Sequence, residues 1–208
     1  MKKYIIFDFN GTLLNDVDLG LKLINDFLSE QGKKKLDMKT YRHVFGFPIR
    51  DYYLRAGLDL NAKKFEDLAI VYNERYMRES LSCNLYSDVY DLLLELHENG
   101  YYLICLSSSE ISNLTFQLKY YKIFSFFNKV IGTSNVEGGS KVMLGYNFIK
   151  ENNINPDEVI CVGDSLHDVE VANLIGCDNL LFTNGHQHPD FFTGHKTIDT
   201  LSEIKKYI

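Results

Sequence analysis

The chain of 208 residues is 45% apolar and carries a formal net charge of -6. That length suits one domain with a sizeable insertion or two small domains around a proper core. The acidic balance excludes nucleic acid or an anionic membrane as the main partner, because both call for a basic face.

The apolar run Tyr4-Ile5-Ile6-Phe7 stopped by Asp8-Phe9-Asn10-Gly11 reads as a buried strand and a sharp turn, with the Asp8 carboxylate at the strand's C-terminal end. Because Asp8 interrupts the run behind Met1-Lys2-Lys3, no secretory leader is expected, and no apolar stretch is long enough to span a bilayer. Asn15 can cap a helix with apolar positions Val17, Leu21, Ile24 and Leu28, stopped by Gly32. Lys33-Lys34-Lys35 reads as a solvated turn. From about Leu36 to Asn84 the patterns are helical, over Met38 to Phe45, Pro48 to Ala56 and Asn61 to Arg78, with no convincing strand. Tyr41, Tyr52, Tyr72 and Tyr76 are expected to form the core of this insertion.

Beyond Asp88 helices and strands alternate. Helix Asp88 to Asn99, strand Tyr102 to Leu106 and helix Ile111 to Lys122 come first, then strand Lys129 to Gly132 and helix Ser140 to Asn152. Strand Val159 to Gly163, helix His167 to Ile175 and strand Leu180 to Thr183 follow, and Thr200-Leu201-Ser202-Glu203 has the form of a capping box. Such alternation implies βαβ crossovers and a mainly parallel sheet covered on both faces. The four cysteines, Cys83, Cys105, Cys161 and Cys177, show neither CxxC nor zinc spacing. They point to reduced thiols in a cytosolic protein.

Ligands bind beyond the C-terminal ends of the strands in such a sheet. Those ends carry Asp8, Ser107-Ser108 and Gly163-Asp164, and Lys141 opens a helix on the same side. Asp164 and Asp168 can join Asp8 in holding a hard cation, for which Mg²⁺ is the natural candidate. With Lys141 and the Ser107 hydroxyl orienting an anionic group, the set suits phosphoryl transfer, and Asp8 is placed to be the nucleophile.

On DFNGTL at Asp8 to Leu13, LICLSSS at Leu103 to Ser109, Lys141 near a helix start and VGDSLHD at Val162 to Asp168, the sequence resembles the haloacid dehalogenase superfamily. It is closest in kind to the phosphoglycolate phosphatase-like branch with a helical cap. The resemblance implies a Rossmann-like three-layer α/β core at 1–14 and 86–208 and an inserted cap at 15–85, with hinges near Asn15 and Leu85. It also implies a cytoplasmic, Mg²⁺-dependent phosphatase of a small phosphorylated metabolite, with an aspartyl-phosphate formed on Asp8. By similarity the metal ligands are Asp8, the Asn10 backbone carbonyl and Asp164, with Asp168 acting through water. Ser107, Ser108, Gly11 and Thr12 would surround the phosphoryl group, and Lys141 would hold the nucleophile and phosphate charges together. No pattern speaks to oligomeric state.

One position departs from the family. Where its phosphatases carry a second Asp as general acid and base, this chain has Asn10, an amide that cannot exchange a proton at neutral pH. The open readings are a phosphatase using water or another side chain, a weakened phosphate-responsive binding protein, an introduced residue, or Asn-Gly deamidation to Asp. Other family activities fit less well. Dehalogenation would leave GDSxxD unexplained, and phosphonate cleavage needs a buried amine that nothing marks among Lys39, Lys63 and Lys64. Arg50, after Gly46-Phe47-Pro48, is a candidate to reach an anionic substrate tail, with Phe47 packing on it. His186, His188 and His195, in and beside the loop Asn184 to Gly194, read as surface loop histidines rather than a metal site, since no Cys or acid stands at ligand spacing.

Overall fold

The opening apolar run forms strand β1 (Tyr4–Phe7) near the centre of a six-stranded sheet in the computed structural model, which describes residues 1–133 and 141–208. A short ribbon follows, β2 (Leu14–Asn15) paired antiparallel with the later β3 (Asn84–Leu85). Between its strands lie helices α1 (Val17–Glu30), α2 (Met38–Val44), α3 (Ile49–Ala56) and α4 (Phe65–Glu79). Then come α5 (Val89–Glu98), β4 (Tyr102–Glu110), α6 (Ile111–Tyr120), β5 (Lys129–Thr133) and α7 (Lys141–Glu151). The chain continues through β6 (Val159–Gly163), α8 (Leu166–Ile175), β7 (Asp178–Phe182) and β8 (Thr197–Ile198), and closes in a 3-10 turn at Leu201–Lys206.

The sheet order is β5-β4-β1-β6-β7-β8, and every pairing in it is parallel. From β1 the chain builds outward through β4 and β5, then returns to add β6, β7 and β8 on the other side. The reversal falls at β1, where an open α/β sheet leaves a crevice at its C-terminal edge.

Alternation along the strands sends Ile5, Phe7, Leu103, Cys105, Ile160 and Val162 to one face, packed on α5 and α6 residues such as Leu93, Leu96, Leu114 and Leu118. Ile6, Ile104, Leu106, Val159 and Cys161 go to the other face, against Ile149 of α7 and Val171, Ala172 and Ile175 of α8. Each fully buried side chain of this kind contributes about 1.5–3 kcal/mol. The insertion has a separate core in which Ile24, Phe27, Leu28, Tyr41, Tyr52, Tyr53 and Leu68 are buried together.

Elements and boundaries differ from expectation in a few places. The two-residue strands β2, β3 and β8 have no periodicity of their own and exist only through their partners. The helix expected from Asn61 starts at Phe65. Ser140, where a helix is expected to start, lies outside the described residues. The capping box forms, with Thr200 and Glu203 satisfying each other's backbone, but the turn it opens is 3-10 rather than α-helical. All four cysteines are free thiols, and Cys161 and Cys177 lie 3.5 Å apart, sulfur to sulfur. Among the described residues no helix is long and apolar enough to cross a membrane.

Candidate active site

Asp8 stands one residue past β1, its N–H still donating to Val162 at 2.9 Å as an extension of the sheet ladder. The chain then turns so tightly that the N–H groups of Leu13 and Leu14 both reach the Phe9 carbonyl at 2.9 Å. Gly11 makes this turn at φ +72, a left-handed conformation costly for residues with a Cβ. A Cβ there would also fall 2.2 Å from Asp164 Oδ2, so the turn and the neighbouring carboxylate fit only around glycine.

Asp164 follows β6, and Asp168 lies in the first turn of α8. Asp168 Oδ2 accepts from the Ser165 N–H at 3.1 Å and its hydroxyl at 2.9 Å, which aims the other oxygen inward. Gly163 makes room, since a Cβ there would meet Asp168 Cγ at 2.0 Å. Lys141, the first described residue of α7, bridges two of the acids, its ammonium donating to Asp168 at 2.6 Å and to Asp8. Donor oxygens of Asp8, Asp164 and Asp168 all lie within 4.8 Å of one another. Four charged groups are nearly closed off from water, with exposures of 8% for Asp8, 3% for Asp164, and 5% for both Asp168 and Lys141.

Three carboxylates face one ammonium here, and the excess charge appears in their proton affinities. Burial pushes the Asp8 carboxyl up to about 8, against the pull of Lys141 and with Asp168 and Asp164 adding to the rise. Burial likewise raises Asp164 to about 6, opposed by His186. Burial works against the charged forms of Asp168 and Lys141 too, but their mutual attraction wins, holding Asp168 below the usual carboxylate range and Lys141 above the usual ammonium range. An oxygen-only donor set with unbalanced negative charge fits a hard divalent cation.

Beside this cluster lies a second buried network, centred on a residue that sequence reasoning passed over. Asp16 stands at the N-cap position of α1, yet its carboxylate makes no cap. It turns inward, only 1% exposed, and accepts from Gly11 N–H at 2.7 Å, Tyr76 Oη at 2.6 Å and the Asn10 amide at 3.0 Å. His186 Nε2 lies 3.1 Å from Asp16, His186 Nδ1 is 2.7 Å from Tyr41 Oη, and the His186 N–H donates to Asp164 at 2.6 Å. Burial would raise Asp16 and lower His186, but their attraction reverses both, so Asp16 is held low and His186 high. The only sequence signal for Asp16 was its place six residues beyond Asn10, where it resembles an ordinary cap.

Asn10 belongs to this second network, and the His186 N–H is what ties that network to Asp164 of the first. The Asn10 amide nitrogen donates to Asp16 and, at 2.5 Å, to Tyr76 Oη, while its Oδ1 accepts from Ser107 at 3.3 Å and Ser109 at 3.1 Å. Both ends of the side chain are satisfied, and a carboxylate could not replace the two donated bonds. Thr12 is fully buried, with its hydroxyl 3.5 Å from Asp8. Ser107 is buried, whereas Ser108 is exposed and the next hydroxyl, that of Ser109, turns to Asn10.

Arg50 does not join the constellation. It is exposed on α3 and forms no hydrogen bond or ion pair among the described residues, because Tyr52, Tyr53 and Ala56 take the buried face of that short helix. Phe47 stacks on His167 at 4.2 Å rather than on Arg50. The insertion cation that does reach across is Arg42, donating to the carbonyls of Thr183 at 2.5 Å and Gln187 at 3.2 Å. His186 also corrects the loop reading, since it is 6% exposed and not a surface residue.

A family model described as haloacid dehalogenase-like hydrolase matches residues 5–182. The chain is 23% identical to a phosphoglycolate phosphatase of Aliivibrio fischeri, covering 99% of this chain and 94% of that protein. It is 26% identical to the phosphoglycolate phosphatase of Vibrio cholerae, with coverage of 97% and 96%. In three dimensions it is similar to a haloacid dehalogenase-like family hydrolase from Streptococcus pneumoniae, with a TM-score of 0.83, 23% identity and coverage of 99% and 98%.

Proposed function

Because the chain belongs to the haloacid dehalogenase-like hydrolases, we propose that it is a cytoplasmic, Mg²⁺-dependent phosphatase of a small phosphorylated metabolite. The observation that carries this reading is the arrangement around Asp8, a carboxylate bound by Lys141 with Asp164 and Asp168 oxygens within 4.8 Å. Relatives described as phosphoglycolate phosphatases support a small phosphate ester as substrate. Residues 1–14 and 86–208 serve as catalytic core and 15–85 as a cap. The acids are too closed off to admit substrate without motion, so the cap opens and shuts as lids do.

In the first step an Asp8 oxygen bonds to phosphorus as the ester P–O bond breaks, and the departing alkoxide takes its proton from water, since the Asn10 amide cannot supply one. Water then attacks the aspartyl-phosphate, regenerates Asp8 and releases inorganic phosphate. Lys141 favours the ionised form of Asp8 against its burial and offsets charge on the transferring group, while the Ser107 hydroxyl and the turn at Gly11 and Thr12 orient it. Asp8, Asp164 and the Asn10 carbonyl would hold Mg²⁺, with Asp168 behind them, and the ion would supply charge neutralisation for the phosphoryl oxygens.

Asn10 shapes the kinetics. Loss of general acid-base assistance costs about 10²–10⁴ in rate, and most for poor leaving groups. Turnover is therefore slow on alkyl phosphates and faster on acyl or aryl phosphates, and the aspartyl-phosphate accumulates. Phosphate release over a panel of phosphomonoesters with Mg²⁺, together with a rapid-mixing burst measurement, tests this in the protein, in Asn10→Asp and in Asp8→Asn. Undiminished activity in Asp8→Asn sinks the mechanism, and linear release without trapped phosphoenzyme removes the role given to Asn10. The amide network at Asn10 also favours a second reading, a phosphate-responsive binding protein, which activity appearing only in Asn10→Asp would support.

A further inference from the structure

We propose that His43, His188 and Asp190 form a separate site for a divalent transition ion of the zinc class, tying α2 of the insertion to the loop after β7. The three side chains can bring one ligand atom each within 4.8 Å of the others. His43 Nδ1 lies 2.8 Å from the Lys39 carbonyl, which can only accept, so that nitrogen carries the proton and the neutral ring keeps its lone pair on Nε2. His188 Nδ1 accepts from the Asp190 N–H at 3.3 Å, which puts its lone pair on the same side as the Asp190 carboxylate. Asp190 Oδ2 is 3.1 Å from His43 Nε2 and 3.3 Å from His188 Nδ1. With both rings neutral, His43 Nε2 and Asp190 Oδ2 face each other with no proton between them, and an ion would take over the His188 Nδ1 lone pair from the Asp190 N–H.

A cation supplies what that geometry lacks. Zinc bonds of about 2.0–2.2 Å in a tetrahedron set neighbouring ligand atoms roughly 3.3–3.5 Å apart, close to the two separations found. Two imidazoles and one carboxylate select zinc, copper or nickel over magnesium, unlike the all-oxygen cluster at Asp8. The carbonyl of Lys39 plays the orienting part that a backbone acceptor commonly plays behind a metal-bound histidine.

The two segments that carry the ligands are tied together without the ion. The His188 N–H donates to the Arg42 carbonyl at 2.9 Å, and the Arg42 guanidinium grips the same loop at Thr183 and Gln187. The two rings stack at 3.8 Å, so they would turn apart to bring both nitrogens onto one tetrahedral ion, and Phe191 packs edge-on against His43 at 6.0 Å. Asp190 is 71% exposed, so the fourth position opens to water. The ion would join segments 145 residues apart through two bonds on one side and one on the other.

Calorimetric titration with Zn²⁺ in excess Mg²⁺ tests the assignment, with Co²⁺ absorption as the signature of four-coordinate nitrogen and oxygen ligation. The whole protein and Asp164→Asn should bind one Zn²⁺ alike, while His43→Ala and His188→Ala should weaken binding by at least about a hundredfold, the most that losing a mere orienting partner produces. Asp190→Asn alters an exposed side chain, so its loss of affinity decides the matter if either histidine variant misfolds. Equal affinity across the His43, His188 and Asp190 variants, or loss confined to Asp164→Asn, overturns the proposal and leaves an ion pair only.

Discussion

Two buried polar networks meet where the His186 N–H donates to Asp164, and they differ in what builds them. The Asp8, Lys141, Asp164 and Asp168 cluster comes entirely from the ends of the parallel sheet and the helices that follow. The Asp16, His186, Tyr41 and Tyr76 network joins the insertion to that sheet, with Tyr76 and Tyr41 supplied by α4 and α2. One cluster carries surplus negative charge; the other pairs an acid held low with a histidine held high. On the proposed mechanism the contrast separates chemistry from closure: the first network would hold the reacting groups, and the second would fasten the insertion beside them.

Variants that break the first network should show the largest losses. Asp8→Asn is expected to cut phosphate release by more than about 10³-fold with the fold intact by circular dichroism. Lys141→Ala leaves the buried Asp168 carboxylate, held low by that ammonium, unpaired, so unfolding in urea without divalent cations should register a loss of about 3–5 kcal/mol. Retained stability there would mean that Asp168 is already neutral.

The second network is tested by Asn10→Asp, which places a second carboxylate where an amide now donates to Asp16 at 3.0 Å. A destabilisation of about 1–3 kcal/mol is expected, most of it recovered in the Asn10→Asp, Asp16→Asn double variant. Additive losses would show that the two positions do not interact.

The pH response should run opposite to ordinary acid denaturation. Asp8, raised to about 8, and Asp164, raised to about 6, bind protons in the folded protein that the unfolded chain has released. The folded state therefore holds more protons from about pH 4 to about pH 8, and stability without divalent cations falls as pH rises through that interval. His186, also raised, adds to the fall once pH passes its unfolded value, because it stays protonated longer when folded. Urea midpoints in chelator should drop across the interval, and a rise would refute uncompensated burial at Asp8. The smallest effect belongs to Arg50→Ala, which should change kcat/KM by less than about twofold, the scale of an exposed substitution away from the site; a tenfold rise in KM would return Arg50 to substrate binding.

Sequence by itself determined the alternation of helices and strands, the parallel sheet and the carboxylates at its edge. Those features are local, since period, turn chemistry and strand ends are written within a few residues of Asp8, Ser107 and Asp164. Only the tertiary structure decided the roles of Asp16 and His186, the short strands β2, β3 and β8, and the exposure of Arg50. Asp16 meets Tyr76 across 60 residues and His186 across 170, so nothing near it in the chain distinguishes it from a helix cap. Asn10 belongs to both kinds of knowledge. Its departure from the family pattern was legible in one residue, and the amide network that accommodates it exists only because the insertion folds back over the sheet.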